Sequence, residues 1–127
     1  VVASAAVGAV GWPLIGALHV EFEDLAAQIT AGANVPLLDE LLAHIDRFFG
    51  TEERLMTQAG FPALACHQRE HAEVHAVVVE ARRRLAAGAP EFAQRLAVAL
   101  PKWFSLHAGG MDSAPSANDA VLFLRSS

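Results

Sequence analysis

His67 and His71 stand one helical turn apart in a run of positions, Leu64, His67, His71, Val74, Val78 and Leu85, that recurs in steps of three and four residues with one longer gap. Positions spaced this way share one face of a helix, and a face carrying leucine and valine is the one a fold buries. Two imidazoles on such a face need partners. A metal ion supplies one, because a single cation takes a ring nitrogen from both i and i+4. Further side chains of donor type are His19, Glu52, His107 and Asp112. Glu52 continues the stripe Leu38, Leu41, Ile45, Phe48 and Leu55, so a carboxylate stands where an apolar residue is expected. A buried carboxylate is costly unless paired or bound to a metal; the other reading is a helix-end group that reaches water. Its neighbour Glu53 is expected to point outward as a solvated residue. His19 lies between Ile15 and Phe22, and His107 follows Leu100 and Trp103 at core spacing. Each also reads as a histidine satisfied within the core. Asp112 falls off the face of His107 in a regular helix, and Gly109 and Gly110 between them allow the backbone irregularity that would bring both to one ion.

Four segments must position these residues. Pro13, Pro36, Pro62 and Pro90 each stand just ahead of a helix-like pattern, where a first-turn proline is tolerated. Gly32, Gly60, Gly88 and the Gly109–Gly110 pair stand where the patterns stop. This punctuation predicts helices over about 13–31, 36–58, 62–87 and 91–112. Links of a few residues force neighbouring helices antiparallel, so the expected fold is all-α, an up-down-up-down antiparallel four-helix bundle with an N-terminal arm. The chain reads as one domain over 1–127, with the arm at 1–12, the bundle at about 13–112 and a tail at 113–127. Pro101 interrupts the fourth pattern. It removes a backbone donor and crowds the carbonyl of Ala97, which predicts a kink or a break, or a separate short helix over 91–99.

A chain of 127 residues with 54% hydrophobic content has material for a single core. The net charge is −5, and no basic patch interleaves with aromatics, which argues against a nucleic-acid partner. The one dense basic run, Arg82 to Arg84, falls near a predicted helix C-terminus, where cations favour the helix dipole. Val1 to Leu18 is almost wholly apolar and raises the question of a membrane helix. Gly8, Gly11 and Pro13, and the lack of a positive leading segment, favour an arm packed on the bundle and no membrane partner. The single cysteine, Cys66, forms no intrachain disulfide and reads as a small packed thiol. It fits a reducing compartment, and a cytoplasmic location is expected.

Every predicted helix thus places at least one donor on its inner face. Carboxylates and imidazoles converging inside a bundle are how such bundles hold two metal ions. The mixed nitrogen and oxygen set, with no cysteine at core spacing, favours iron or manganese over a structural zinc. The run Phe48-Phe49-Gly50-Thr51-Glu52-Glu53-Arg54-Leu55-Met56, then Gly60-Phe61-Pro62 and the His67, His71 pair, resembles the bacterial hemerythrins. So do Trp103, His107 and Asp112 at their spacings, and Trp12 ahead of the first helical histidine; the resemblance covers about Trp12 to Asp112.

The resemblance implies a non-haem di-iron site. It would place His67, His71 and His107 on one iron, Glu52 and Asp112 as bridges, and His19 on the second iron. A further histidine, from an H-F-x-x-E-E pattern, would complete that second shell, and here its position holds Phe48. Phenylalanine cannot ligate, and its ring takes the imidazole's place. Three outcomes follow: the second metal binds weakly or not at all, water or another side chain completes its shell, or two metals bind with an extra open position. His44, one turn before Phe48, and Glu23, one turn after His19, are the candidates to compensate, and each also reads as a surface or boundary residue. His75 extends the His67, His71 ladder too far along for the same metal. The implied function is binding, carriage or sensing of dioxygen or a related small molecule, more a binding protein than an enzyme. The alternatives are turnover of peroxide or nitric oxide, and a structural or regulatory metal-binding bundle.

Overall fold

The computed structural model describes residues 12–62 and 64–108, with side chains over 13–62 and 64–104. Residues 1–11, Asp112, the tail and the side chain of His107 lie outside the described residues. Four helices are formed: α1 (Trp12–Ala31), α2 (Val35–Ala59), α3 (Leu64–Ala86) and α4 (Glu91–Ala108). No strand occurs among the described residues.

The local chemistry explains where the helices begin and end. Leu37 N–H donates to the side chain of Asn34 at 2.9 Å, capping α2, and Pro36 occupies the first turn, where its missing N–H removes no helix bond. Gly60 closes α2 in the left-handed conformation, φ 70°. Its N–H donates to the Thr57 carbonyl, and Phe61 N–H donates to Met56, so the last carbonyls of the helix are satisfied. Gly88, φ 92°, ends α3 in the same manner, with Ala89 N–H donating to the Arg84 carbonyl at 2.9 Å. The Pro90 carbonyl then accepts the first bond of α4, from Gln94.

Helix α4 runs unbroken through Pro101, so neither the expected break nor a separate 91–99 helix is found. Ala97, Leu100, Trp103 and Phe104 are all buried around the proline. Burial of that face on both neighbouring helices outweighs the one backbone bond the proline removes.

Each helix packs on two others: α1 on α2 and α4, α3 on α2 and α4. The result is a closed ring of four. Cross-helix pairs between α2 and α3 run in opposite chain order, Asp39 with Arg82, Asp46 with His75 and Glu53 with Gln68, which makes the two helices antiparallel. The predicted α2 stripe is buried in full, Glu52 included. On α3, His67, His71, Val74 and Val78 are buried, while Leu64 and Leu85 are half-buried at the ends. Leu18, Phe22 and Ile29 of α1 and Phe92, Leu96, Leu100, Trp103 and Phe104 of α4 complete the core.

The basic run is engaged with carboxylates. Arg82 pairs with Asp39 of α2, and Arg83 and Arg84 both bind Glu80 within α3, at 2.5 and 2.8 Å. The two guanidinium groups hold the Glu80 carboxyl down to about 2, and Arg82 holds Asp39 below the usual carboxylate range. Cys66 is half-buried. No described helix is long and apolar enough to cross a membrane.

Candidate metal centre

The antiparallel approach of α2 and α3 brings Glu52 and His71 together. Nε2 of His71 lies 2.8 Å from Oε1 of Glu52, and both residues are buried. On the opposite side of the ring, Nδ1 of His71 is 2.6 Å from Oε2 of Glu53. This corrects the expectation that Glu53 points outward: its side chain is only 28% exposed and is turned onto α3. The sequence held a signal for this, because Phe49 precedes Glu53 by one turn and is itself buried, which widens the inward face of α2 beyond the heptad stripe. Phe49 lies flat on the His71 ring, with centroids 3.9 Å apart and planes 1° from parallel. His67 is buried with its ring nearly perpendicular to that of His71, centroids 5.8 Å apart. Glu70, which the sequence reading passed over, is also buried beside these histidines in the chain.

The surroundings of His19 are different. Its ring meets the rings of Phe22, Phe48 and Phe104 edge-on at 6.2 to 6.3 Å, and its Nε2 lies 3.8 Å from Glu23. Phe104 packs against Phe22 at 4.1 Å and Phe48 at 5.1 Å. The path of ring contacts from His19 to His71 therefore passes through Phe48 or Phe104 and then Phe49.

Neither candidate to compensate for Phe48 is turned to that task. His44 is buried, but its Nε2–H donates to the backbone carbonyl of Leu18 at 2.8 Å, and its Nδ1 faces Glu21 at 3.7 Å. It ties α2 to α1. Glu23 is more than half exposed. His75 pairs with Asp46 at 3.4 Å near the surface, consistent with its place beyond the reach of the centre.

Beside His71 a cleft of about 550 Å³ opens between α2 and α3, bounded by Asp46, Gly50, Glu53, Gln68 and His75. Among the described residues no group of three or more His, Cys, Asp or Glu side chains is arranged to hold an ion. Glu52 and His71 form a pair that His67, though buried nearby, does not extend to a group of three; the other donors expected beside them, His107 and Asp112, fall outside the described side chains. The pair has the right chemistry for a small divalent cation. Imidazole nitrogen and carboxylate oxygen are donor types that divalent iron accepts, and at 2.8 Å these two are in hydrogen-bond contact with each other.

Residues 12–114 match the model of the hemerythrin HHE cation binding domain, which is most of the chain. The chain belongs to the hemerythrin family. It is 42% identical over 78 residues to a bacteriohemerythrin of Ralstonia nicotianae, covering 61% of this chain and 57% of that one. It is 35% identical over 96 residues to a bacteriohemerythrin of Stenotrophomonas maltophilia, covering 76% and 61% respectively. The matched stretch is thus about three-fifths of the length of either relative. No solved structure matches. Hemerythrins bind iron without haem, and on one side of this bundle Glu52 and His71 are paired with the buried His67 nearby. On the other side of the core His19 is bordered by three phenyl rings and by Glu23.

Proposed function

We propose that this chain is a hemerythrin-like non-haem iron protein that binds dioxygen or a related small molecule, with a modified second iron site. The observation that carries the reading is the contrast across the core. A buried Glu52–His71 pair stands on one side, and His19 packed among Phe22, Phe48 and Phe104 stands on the other.

His67, His71 and His107 would hold the first iron, with Glu52 and Asp112 as carboxylate donors. His19 is left as the sole histidine for a second ion, which binds weakly or not at all. Iron held by these residues would supply a redox-active coordination position for the small ligand. The protein's own contribution is a dry wall. Phe49 covers one face of His71, Phe104 stacks behind it and Trp103 meets it edge-on, both with almost no exposure. Apolar walls of this kind exclude water and favour reversible binding over turnover. Reduction of peroxide or nitric oxide is the second reading, favoured by the coordination position that Phe48 leaves unfilled. The lone half-buried thiol Cys66 suits a reducing compartment such as the cytoplasm.

The deciding measurement is iron per chain in freshly purified protein, with an absorption spectrum recorded in air. The expected result is a substoichiometric second iron. A full pair of irons with the charge-transfer band of a bridged pair would overturn the modified second site, and no iron at all would overturn the iron-protein reading itself.

A further inference from the structure

We propose that Glu53 is the positioning residue of the centre, holding the His71 ring so that Nε2 faces Glu52 and the metal. This rests on the iron-protein reading above, but the contacts that carry it belong to the chain alone.

Glu52 and Glu53 are consecutive on α2, and together they bracket one imidazole. Oε1 of Glu52 lies 2.8 Å from Nε2, and Oε2 of Glu53 lies 2.6 Å from Nδ1. A carboxylate only accepts, so Nδ1–H donates to Glu53 and Nε2–H donates to Glu52 in the metal-free chain; a metal at Nε2 would take the place of the second proton, while the short, charge-assisted bond from Nδ1–H to Glu53 would remain. The second oxygen of Glu53 is also engaged: Nε2 of Gln68 donates to Oε1 at 3.3 Å. Gln68 and His71 stand on α3 one turn apart, so a single carboxylate grips α3 at two points. Phe49 adds a flat wall against the ring at 3.9 Å. Flipping the imidazole by half a turn would set carbon atoms where both nitrogens now stand, and both carboxylate contacts would be lost.

Such an outer carboxylate fixes which nitrogen is offered to a metal and makes that nitrogen a better donor. Glu53 is suited to the role for another reason. Its side chain borders the α2–α3 cleft and is 28% exposed, so it is replaceable without opening a void in the core.

Three variants of the full chain test this: Glu53→Ala, Glu53→Gln and Gln68→Ala. The first readout needs no metal. In nitrogen-labelled, iron-free protein the His71 Nδ1–H proton is expected to be slow to exchange and shifted far downfield. It should vanish in Glu53→Ala, persist in Glu53→Gln, which keeps an acceptor oxygen, and exchange faster in Gln68→Ala. The second readout is ferrous iron affinity, from competition with a coloured chelator. Glu53→Ala is expected to lose about 10- to 100-fold, with Glu53→Gln recovering part of the loss. An unchanged His71 proton in Glu53→Ala, or iron affinity within about twofold of the parent, would overturn the positioning role. A parent chain that binds no iron overturns the functional reading instead, and the proton measurement then still decides whether Glu53 holds the ring.

Discussion

Phe48 is the residue on which the chemistry of this chain turns. It is buried against Phe104 and stands edge-on to both His19 and His44, so its position is already part of an aromatic cluster. Replacing it by histidine is expected to raise iron content toward about two per chain, as in the bundles that carry two ions. Elemental analysis of Phe48→His against the parent checks this, and an unchanged content would remove Phe48 as the cause of a weak second site. His71→Ala acts on the other side of the core. It strips a proposed ligand and takes a close partner from the buried carboxylate of Glu52, so iron-free protein is expected to lose about 3 kcal/mol. Urea midpoints of the two iron-free proteins measure it. Much of this was legible in the sequence, because a carboxylate and two imidazoles at core spacing stand out against leucine. Glu53 was misread for a physical reason. Its contact is to another helix, and heptad spacing assigns a face without saying what the opposite helix offers there. His44 was hidden in the same way, since its partner is a backbone carbonyl.

At the scale of the helices, the glycines divide by conformation. Gly16 and Gly50 lie inside α1 and α2; a methyl group at Gly16 would meet nothing, and one at Gly50 would meet only the tip of Arg54 at 3.9 Å. Gly16→Ala and Gly50→Ala are therefore each expected to add about 0.5–1 kcal/mol to stability. Gly60 is left-handed, so Gly60→Ala is expected to subtract about 1 kcal/mol, and denaturant titration of the three variants tests the contrast in sign. Glu80 makes a prediction about pH. Two guanidinium groups hold its folded carboxyl at about 2, below the 4.5 of a free glutamate. A depressed folded pKa gives stability that is present above the unfolded value and lost as the pH falls through the folded one. Stability should therefore decline between those two values, and the decline should be shallower in Glu80→Gln, read as the urea midpoint against pH. The helix boundaries were readable because proline and glycine act locally, through caps and left-handed turns. Pro101 was not, because what keeps α4 continuous is the burial of Trp103 and Phe104 on neighbouring helices.

At the scale of the molecule, the packing order matters more than any single contact. Every helix meets its neighbours in the chain, and α1 and α4 close the ring. Iron that binds only the folded ring should stabilise all of it at once. At 100 times its dissociation constant the gain is about 2.7 kcal/mol, visible as a rise in melting temperature that scales with free ferrous iron.

The closed ring also sets an order of assembly. The α2–α3 hairpin joins residues close in sequence, and Glu53 meets Gln68 across an intervening loop of only a few residues. Contacts of that kind cost little loop entropy and form early, whereas the α1–α4 seam joins the two ends of the bundle and must close late. The Glu52–His71–Glu53 bracket is thus complete within one hairpin, before the helix bearing His107 has docked. Hydrogen exchange should find the amides of the α1–α4 seam opening at lower free energy than those around the bracket. A chain emerging from synthesis would already carry half of its metal-binding face while α4 was still unmade.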